Sequence, residues 1–119
     1  MSNLKNQSFA ARLRFAVAGL RHAFRAERSV RTHLLALTAA MMVLLYFRPA
    51  PIWWAVVCLI GSAVIAAELF NTALEKLADH LHPELHPHIR IVKDCAAAAV
   101  LVLAMGALAV AAALLLSVR

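Results

Sequence analysis

Three runs without a charged side chain, Leu34 to Phe47, Ile52 to Ala67 and Cys95 to Val118, dominate the chain and leave only short polar segments between them. A helix rises about 1.5 Å per residue, so these runs span roughly 21, 24 and 36 Å against about 30 Å of bilayer hydrocarbon. The first must therefore borrow Thr32 and His33 or a thinned bilayer, the second must continue past Glu68, and the third can tilt. The runs are continuous rather than alternating, which excludes a membrane barrel. A composition 64% hydrophobic and 15% charged over 119 residues is more apolar than a soluble domain of this size needs to fill its core. The reading is an all-α membrane protein, a single domain over 1–119, with three transmembrane helices and an N-terminal amphipathic surface helix. The long basic segment before the first run, with no small-residue cleavage site after it, argues against a secretory leader.

Charge sets the expected orientation. Lys5, Arg12, Arg14, Arg21, Arg25, Arg28 and Arg31 precede the first span, whereas the loop between spans one and two carries only Arg48. Basic residues collect on the cytoplasmic side, so the N-terminus and the Lys76 to Lys93 segment should be cytoplasmic and Arg119 outside. The net charge of +6 is explained by this topology and by anionic headgroups, so no nucleic-acid partner is expected. Cys58 and Cys95 lack a CxxC spacing and read as small buried hydrophobes.

Between Phe9 and Phe24 the apolar residues Phe9, Leu13, Ala16, Val17, Leu20 and Phe24 share one side of a helix, and Arg14, Arg21, Arg25 and Arg28 another. Such a helix lies on the bilayer surface. If the helix is continuous, Glu27 and Arg31 extend its apolar stripe and aim a carboxylate inward; the alternative is a Glu27–Arg31 pair at i,i+4. Arg48-Pro49-Ala50-Pro51 reads as a tight external turn, and the segment His82 to His88, with two prolines, as non-helical.

Glu68, Asn71, Glu75 and Asp79 follow one another at spacings of three, four and four, which places them on one face of the second span. Val57, Gly61 and Val64 continue that face, and Gly61 admits a close helix neighbour. The face is either packed on protein or turned to lipid. Glu68 follows sixteen charge-free residues, at a depth where an ionised group costs up to about 3 kcal/mol. Something must offset that cost; proton carriage, a packing partner and catalysis on a lipid headgroup are the options. Glu75 lies about 10 Å further along the axis, toward water.

Lys93 and Asp94 begin the third span near the same level. A polyphosphate there would need a cation such as Lys93 and a carboxylate-held Mg²⁺, for which Glu27 and Glu75 could serve. The plainer reading of Lys93 and Asp94 is a snorkelling cation and a helix N-cap. No GxxxxGK[ST], GxGxxG or GxSxG motif is present, so a nucleotide site must be built from helix side chains. His80, His82, His86 and His88 suggest a metal only weakly, because the prolines among them break regular spacing.

These residues resemble a known family, the small prokaryotic integral-membrane lipid kinases that comprise diacylglycerol kinase and undecaprenol kinase. The resemblance rests on the run Glu68-Leu69-Phe70-Asn71-Thr72-Ala73-Leu74-Glu75, on Asp79, and on Lys93-Asp94 followed by alanines and Val100. Gly19-Leu20, Glu27, Arg31 and His33 fit the N-terminal pattern. The resemblance implies a homotrimer with active sites shared between subunits in the bacterial inner membrane, using MgATP to phosphorylate a lipid. It implies that Glu68 takes the proton from the lipid hydroxyl, that Glu27 and Glu75 bind Mg²⁺, and that Asn71 and Asp79 support the site. Nucleotide would meet Glu27, Glu75, Glu84, Leu85, His86, Lys93 and Asp94, and the lipid would meet Glu68, Arg21, Arg31 and Ala97. Diacylglycerol is the first expectation for the acceptor. Undecaprenol is the second, because Ala96-Ala97 stands where proteobacterial diacylglycerol kinases have Gly-Ser, and Phe15 where they have tyrosine. A small proton-coupled transporter, driven by one intramembrane glutamate, is the alternative from another class; four spans would be expected there.

Overall fold

In a computed structural model of the single chain, residues 6–119 are described; Lys5, counted above among the basic residues, lies outside them. They form α1 (Phe9–Ala26), α2 (Arg28–Phe47), α3 (Pro51–Leu81) and α4 (Pro87–Val118), with no strand among the described residues. Helices α2, α3 and α4 contain 20, 31 and 32 residues and are apolar enough to cross a membrane. At about 1.5 Å per residue they measure roughly 30, 46 and 48 Å. The first span thus gains the length it lacked by starting at Arg28. The second continues beyond Glu68 to Leu81, about 20 Å further.

The chain breaks between α1 and α2 at Glu27, where φ −112° and ψ 115° are extended backbone. The continuous helix that would carry the apolar stripe through Glu27 is therefore not formed. Nothing in Ala26-Glu27-Arg28 forbids helix; the break is held from outside. The Arg31 guanidinium donates to the Phe24 and Arg25 carbonyls at 2.8 and 3.0 Å and closes the end of α1. These carbonyls have no partner within their own helix, and a planar cation with several donors suits them. Arg31 is thus spent on backbone, and no Glu27–Arg31 ion pair forms. At the other end of α1, Ser8 caps by accepting from the Ala11 amide at 3.2 Å.

The turn between α2 and α3 is the expected one. Arg48 ends α2 in the left-handed region, at φ 48° and ψ 56°, with its N–H donating to Leu44 O at 2.8 Å. Glycine is the usual residue in that conformation, and a side chain there costs about 1 kcal/mol or more. Pro51, at the first position of α3, needs no hydrogen bond for its nitrogen. The segment joining α3 to α4 is shorter than expected. Pro87 opens α4, and the side chain of His86 caps it by accepting from the His88 amide at 3.1 Å. His88 is therefore helical, and Asp94 lies two turns inside α4 instead of at its N-cap.

Helices α2, α3 and α4 pack together near the Arg48 turn, where Leu44, Val57 and Leu114 are buried with Trp53 and Trp54 partly buried against them. Further along, a Cβ added to Gly61 would stand 2.5 Å from Leu37 Cδ1, so the glycine is the notch that receives a leucine of α2. Val57, Val64 and Glu68 are all buried, so this face of α3 packs on protein and not on lipid. Less than a fifth of each apolar span is buried inside the chain. Leu35, Leu59, Val102 and Leu108 lie in the open, and only lipid or another copy can cover such faces without a large hydrophobic cost. Helix α1 buries Ala23 alone and leaves Phe9, Leu13, Val17, Leu20 and Phe24 exposed, as a helix lying on a membrane requires.

Candidate active site

The predicted polar row rises along α3 from the end of its apolar stretch. Its first member, Glu68, is only 2% exposed. A carboxylate so placed needs compensation, and α2 supplies it from two residues one turn apart. The Ser29 hydroxyl donates to Glu68 Oε2 at 2.9 Å, and His33 Nδ1 stands 2.8 Å from Oε1. The histidine contact has the closeness of an ion pair, although its angle is not that of an aligned hydrogen bond. Each carboxylate oxygen thus faces its own partner.

One turn outward, Asn71 Nδ2 donates to Glu75 Oε1 at 3.4 Å, and Asn71 Oδ1 is buried without a hydrogen-bond partner. A further turn out, Asp79 Oδ1 meets Lys93 Nζ of α4 at 2.5 Å, while Asp94 pairs with Arg90 on its own helix at 3.3 Å. Lys93 is therefore level with Asp79, a turn nearer water than the sequence reading put it. Polarity and exposure both increase along the row, from a buried acid to an exposed ion pair.

The other expected residues are placed less tightly. Glu27, at the break between α1 and α2, makes no side-chain hydrogen bond or ion pair with a described residue. Glu84, Leu85 and His86 lie exposed on the connection to α4, where His82 Nδ1 donates to Glu84 O at 2.7 Å. Arg21 and Ala97 are exposed on α1 and α4. No group of three or more His, Cys, Asp or Glu among the described residues is spaced to hold a metal by itself. A metal that keeps its waters and binds through phosphate asks for less. Glu75 and Glu27 lack a described cationic partner, and the unpartnered Asn71 oxygen adjoins Glu75. Glu75 and Asn71 thus offer hard oxygens of the kind Mg²⁺ takes, with Glu27 a further carboxylate at the break between α1 and α2.

Ser29 and His33 are members of the candidate site to which sequence reasoning gave no role. Their signal was faint but present: they sit four residues apart on one face of a helix, and Glu68 needed an offset from somewhere.

Below this row, toward the Arg48 turn, an apolar groove of about 360 Å³ runs between α2, α3 and α4, lined by Leu37, Gly61, Val64, Ala107 and Leu114 among others, with His33 as its one polar side chain. The fold and site together define a multi-pass helical membrane protein whose polar centre is assembled from helix side chains at one end of its spans. Residues 14–115 match the model of the prokaryotic diacylglycerol kinase family, and the chain belongs to that family. It is 38% identical to a diacylglycerol kinase of Synechocystis over 104 residues, covering 87% of this chain and 59% of the relative's length. It is 31% identical to an undecaprenol kinase of Bacillus subtilis over 87 residues, covering 73% of this chain and 71% of that protein.

Proposed function

We propose that this protein transfers the γ-phosphoryl group of ATP to a hydroxyl of a membrane lipid, with diacylglycerol as acceptor and phosphatidic acid as product. The observation that carries the reading is the buried Glu68 at the end of an apolar face, with progressively wetter polar groups beyond it on the same helix. A lipid hydroxyl arrives from hydrocarbon and ATP from water, so a site joining them needs this gradient. The names of both relatives support phosphorylation of a membrane lipid, and that of the Synechocystis relative supports diacylglycerol as the acceptor.

In the proposed reaction the lipid oxygen forms a bond to the γ-phosphorus while the bond to the ADP oxygen breaks. The hydroxyl proton passes to the Glu68 carboxylate. Lys93, drawn from Asp79, neutralises phosphate charge, and Asn71 orients Glu75. Glu27 and Glu75 would hold Mg²⁺, which when bound offsets charge on the nucleotide phosphates. Arg21, Arg31 and Ala97 are proposed to border the lipid, and Glu84, Leu85, His86 and Asp94 the nucleotide. Arg12, Arg14, Arg21, Arg25, Arg28 and Arg31 at one end, against Arg48 at the other, support a cytoplasmic N-terminus in a bacterial inner membrane. A homotrimer is proposed from the family resemblance, and the exposed apolar faces of α2 and α4 leave surface for other copies as well as for lipid.

Undecaprenol is the second reading, favoured by Ala96-Ala97 after Lys93-Asp94 and by the Bacillus relative. Both readings are tested by phosphate transfer from radiolabelled MgATP to each lipid in mixed micelles. Wild-type protein is expected to label diacylglycerol preferentially. Glu68→Gln is expected to lower turnover by about 10²-fold or more while MgATP still binds in calorimetry. Folded protein that labels neither lipid would sink the proposal and favour proton-coupled transport.

A further inference from the structure

Glu68 is buried, so which of its two oxygens can meet a substrate is decided by what already touches it. Oε1 faces His33 Nδ1 at 2.8 Å, and Nδ1 has no other polar partner among the described residues. Oε2 accepts from Ser29, a residue exposed at the surface of α2. The two ends of the carboxylate are therefore unlike. One stands 2.8 Å from an imidazole on a rigid helix, in ion-pair range and not in hydrogen-bond alignment, and that imidazole is 25% exposed by side chain and set into the wall of the apolar groove. The other is held by a hydroxyl, the same chemical group that an acceptor lipid would bring.

We infer that His33 is the positioning residue for Glu68: it fixes Oε1, so that Oε2, where the Ser29 hydroxyl now sits, is the oxygen that faces the acceptor hydroxyl. The inference rests on the kinase reading above. To hold a carboxylate oxygen, Nδ1 must carry a proton, which either the Nδ1–H tautomer or the imidazolium supplies. In the step itself the lipid hydroxyl takes the place of the Ser29 hydroxyl at Oε2. Its proton moves to Oε2 as the oxygen bonds to the γ-phosphorus and the ADP oxygen departs. His33 gives up no atom in this step. Its part is to keep the carboxylate from rotating on a buried side chain that no other described group holds at Oε1. A carboxylate free to turn would present its proton-accepting lone pairs to the hydroxyl in only a fraction of its orientations, and alignment of reacting groups is a large part of what an enzyme supplies.

The test is kinetic, on full-length protein in mixed micelles with the preferred lipid. His33→Leu keeps the bulk at the groove wall but removes the contact, and should lower kcat by about 100-fold with KM for MgATP within about twofold of wild type. His33→Asn places an amide N–H near the position of Nδ1 and should restore at least about a tenth of wild-type kcat. A readout independent of turnover comes from ¹⁵N-histidine-labelled protein, in which Glu68→Gln should shift the His33 Nδ1 resonance. His33→Leu with wild-type kcat would overturn the positioning role while leaving the kinase reading intact. So would equal losses in the Leu and Asn variants, or a His33 resonance unmoved by Glu68→Gln. Wild-type protein that phosphorylates neither lipid would overturn the kinase reading, and the positioning role with it.

Discussion

Lys93 Nζ meets Asp79 Oδ1 at 2.5 Å and ties α4 to α3 one turn beyond Glu75. Both partners are open to water, so the pair contributes under about 1 kcal/mol to stability, and Asp79→Asn should leave thermal unfolding nearly unchanged. In the proposed reaction its use would be to keep a flexible cation at the outer end of the row of acids. Lys93→Met should therefore raise KM for MgATP by about tenfold, equivalent to about 1.4 kcal/mol, and Asp79→Asn by much less. Equal effects of the two substitutions in steady-state kinetics would show that the pair, and not the lysine, is what matters.

Glu75 is expected to act through metal. Glu75→Gln keeps the size of the side chain and its contact with Asn71 but removes the charge. The Mg²⁺ concentration for half-maximal turnover should rise about tenfold or more, and direct binding of Mn²⁺ with nucleotide, followed by electron paramagnetic resonance, should weaken in parallel. A fall in turnover at unchanged metal affinity would remove Glu75 from the metal site.

Gly61 and Leu37 set the register of α3 on α2. A Cβ at Gly61 meets Leu37 Cδ1 at 2.5 Å, so Gly61→Val should destabilise the fold by about 1–3 kcal/mol. Leu37→Ala, made in the same chain, should recover most of that loss, because it empties the space the new side chain needs. Unfolding in graded detergent mixtures measures the coupling; additive losses would mean that the two residues do not share the notch.

Arg31 closes α1 through the carbonyls of Phe24 and Arg25. Arg31→Ala should therefore speed hydrogen exchange of the last turn of α1 by about tenfold, which corresponds to losing about 1.4 kcal/mol of local protection. Arg31→Lys should recover only part, since an ammonium does not present the planar fork that spans two acceptors. Exchange unchanged in Arg31→Ala would mean that the break at Glu27 is held by packing alone.

What the sequence made legible is what lies on one helix. Glu68, Asn71, Glu75 and Asp79 are related by helical spacing, and the three spans follow from unbroken apolar runs, so both could be read without coordinates. Ser29 and His33 meet Glu68 across gaps of 39 and 35 residues. Those contacts depend on how α2 and α3 slide past each other, which the Arg48 turn and the Gly61 notch decide and no local pattern encodes. The break at Glu27 was hidden for a related reason: Ala26, Glu27 and Arg28 are all acceptable in a helix, and a distant guanidinium stabilises the alternative. The start of α4 had a local signal, Pro87 at the first helical position, that was masked by a second proline and four histidines nearby.

Because α3 runs unbroken from Pro51 to Leu81, the spacing between Glu68, Asn71, Glu75 and Asp79 is a property of helix pitch and does not depend on any loop. Changing the thickness of the surrounding bilayer can raise or lower this rod as a whole, but it cannot stretch the ladder of groups along it. Membrane thickness thus becomes a setting for how deep the lower rung is immersed in oil while the upper rungs keep their places relative to it. Activity across vesicles of graded acyl length should trace one smooth optimum, with the affinity for nucleotide staying level throughout.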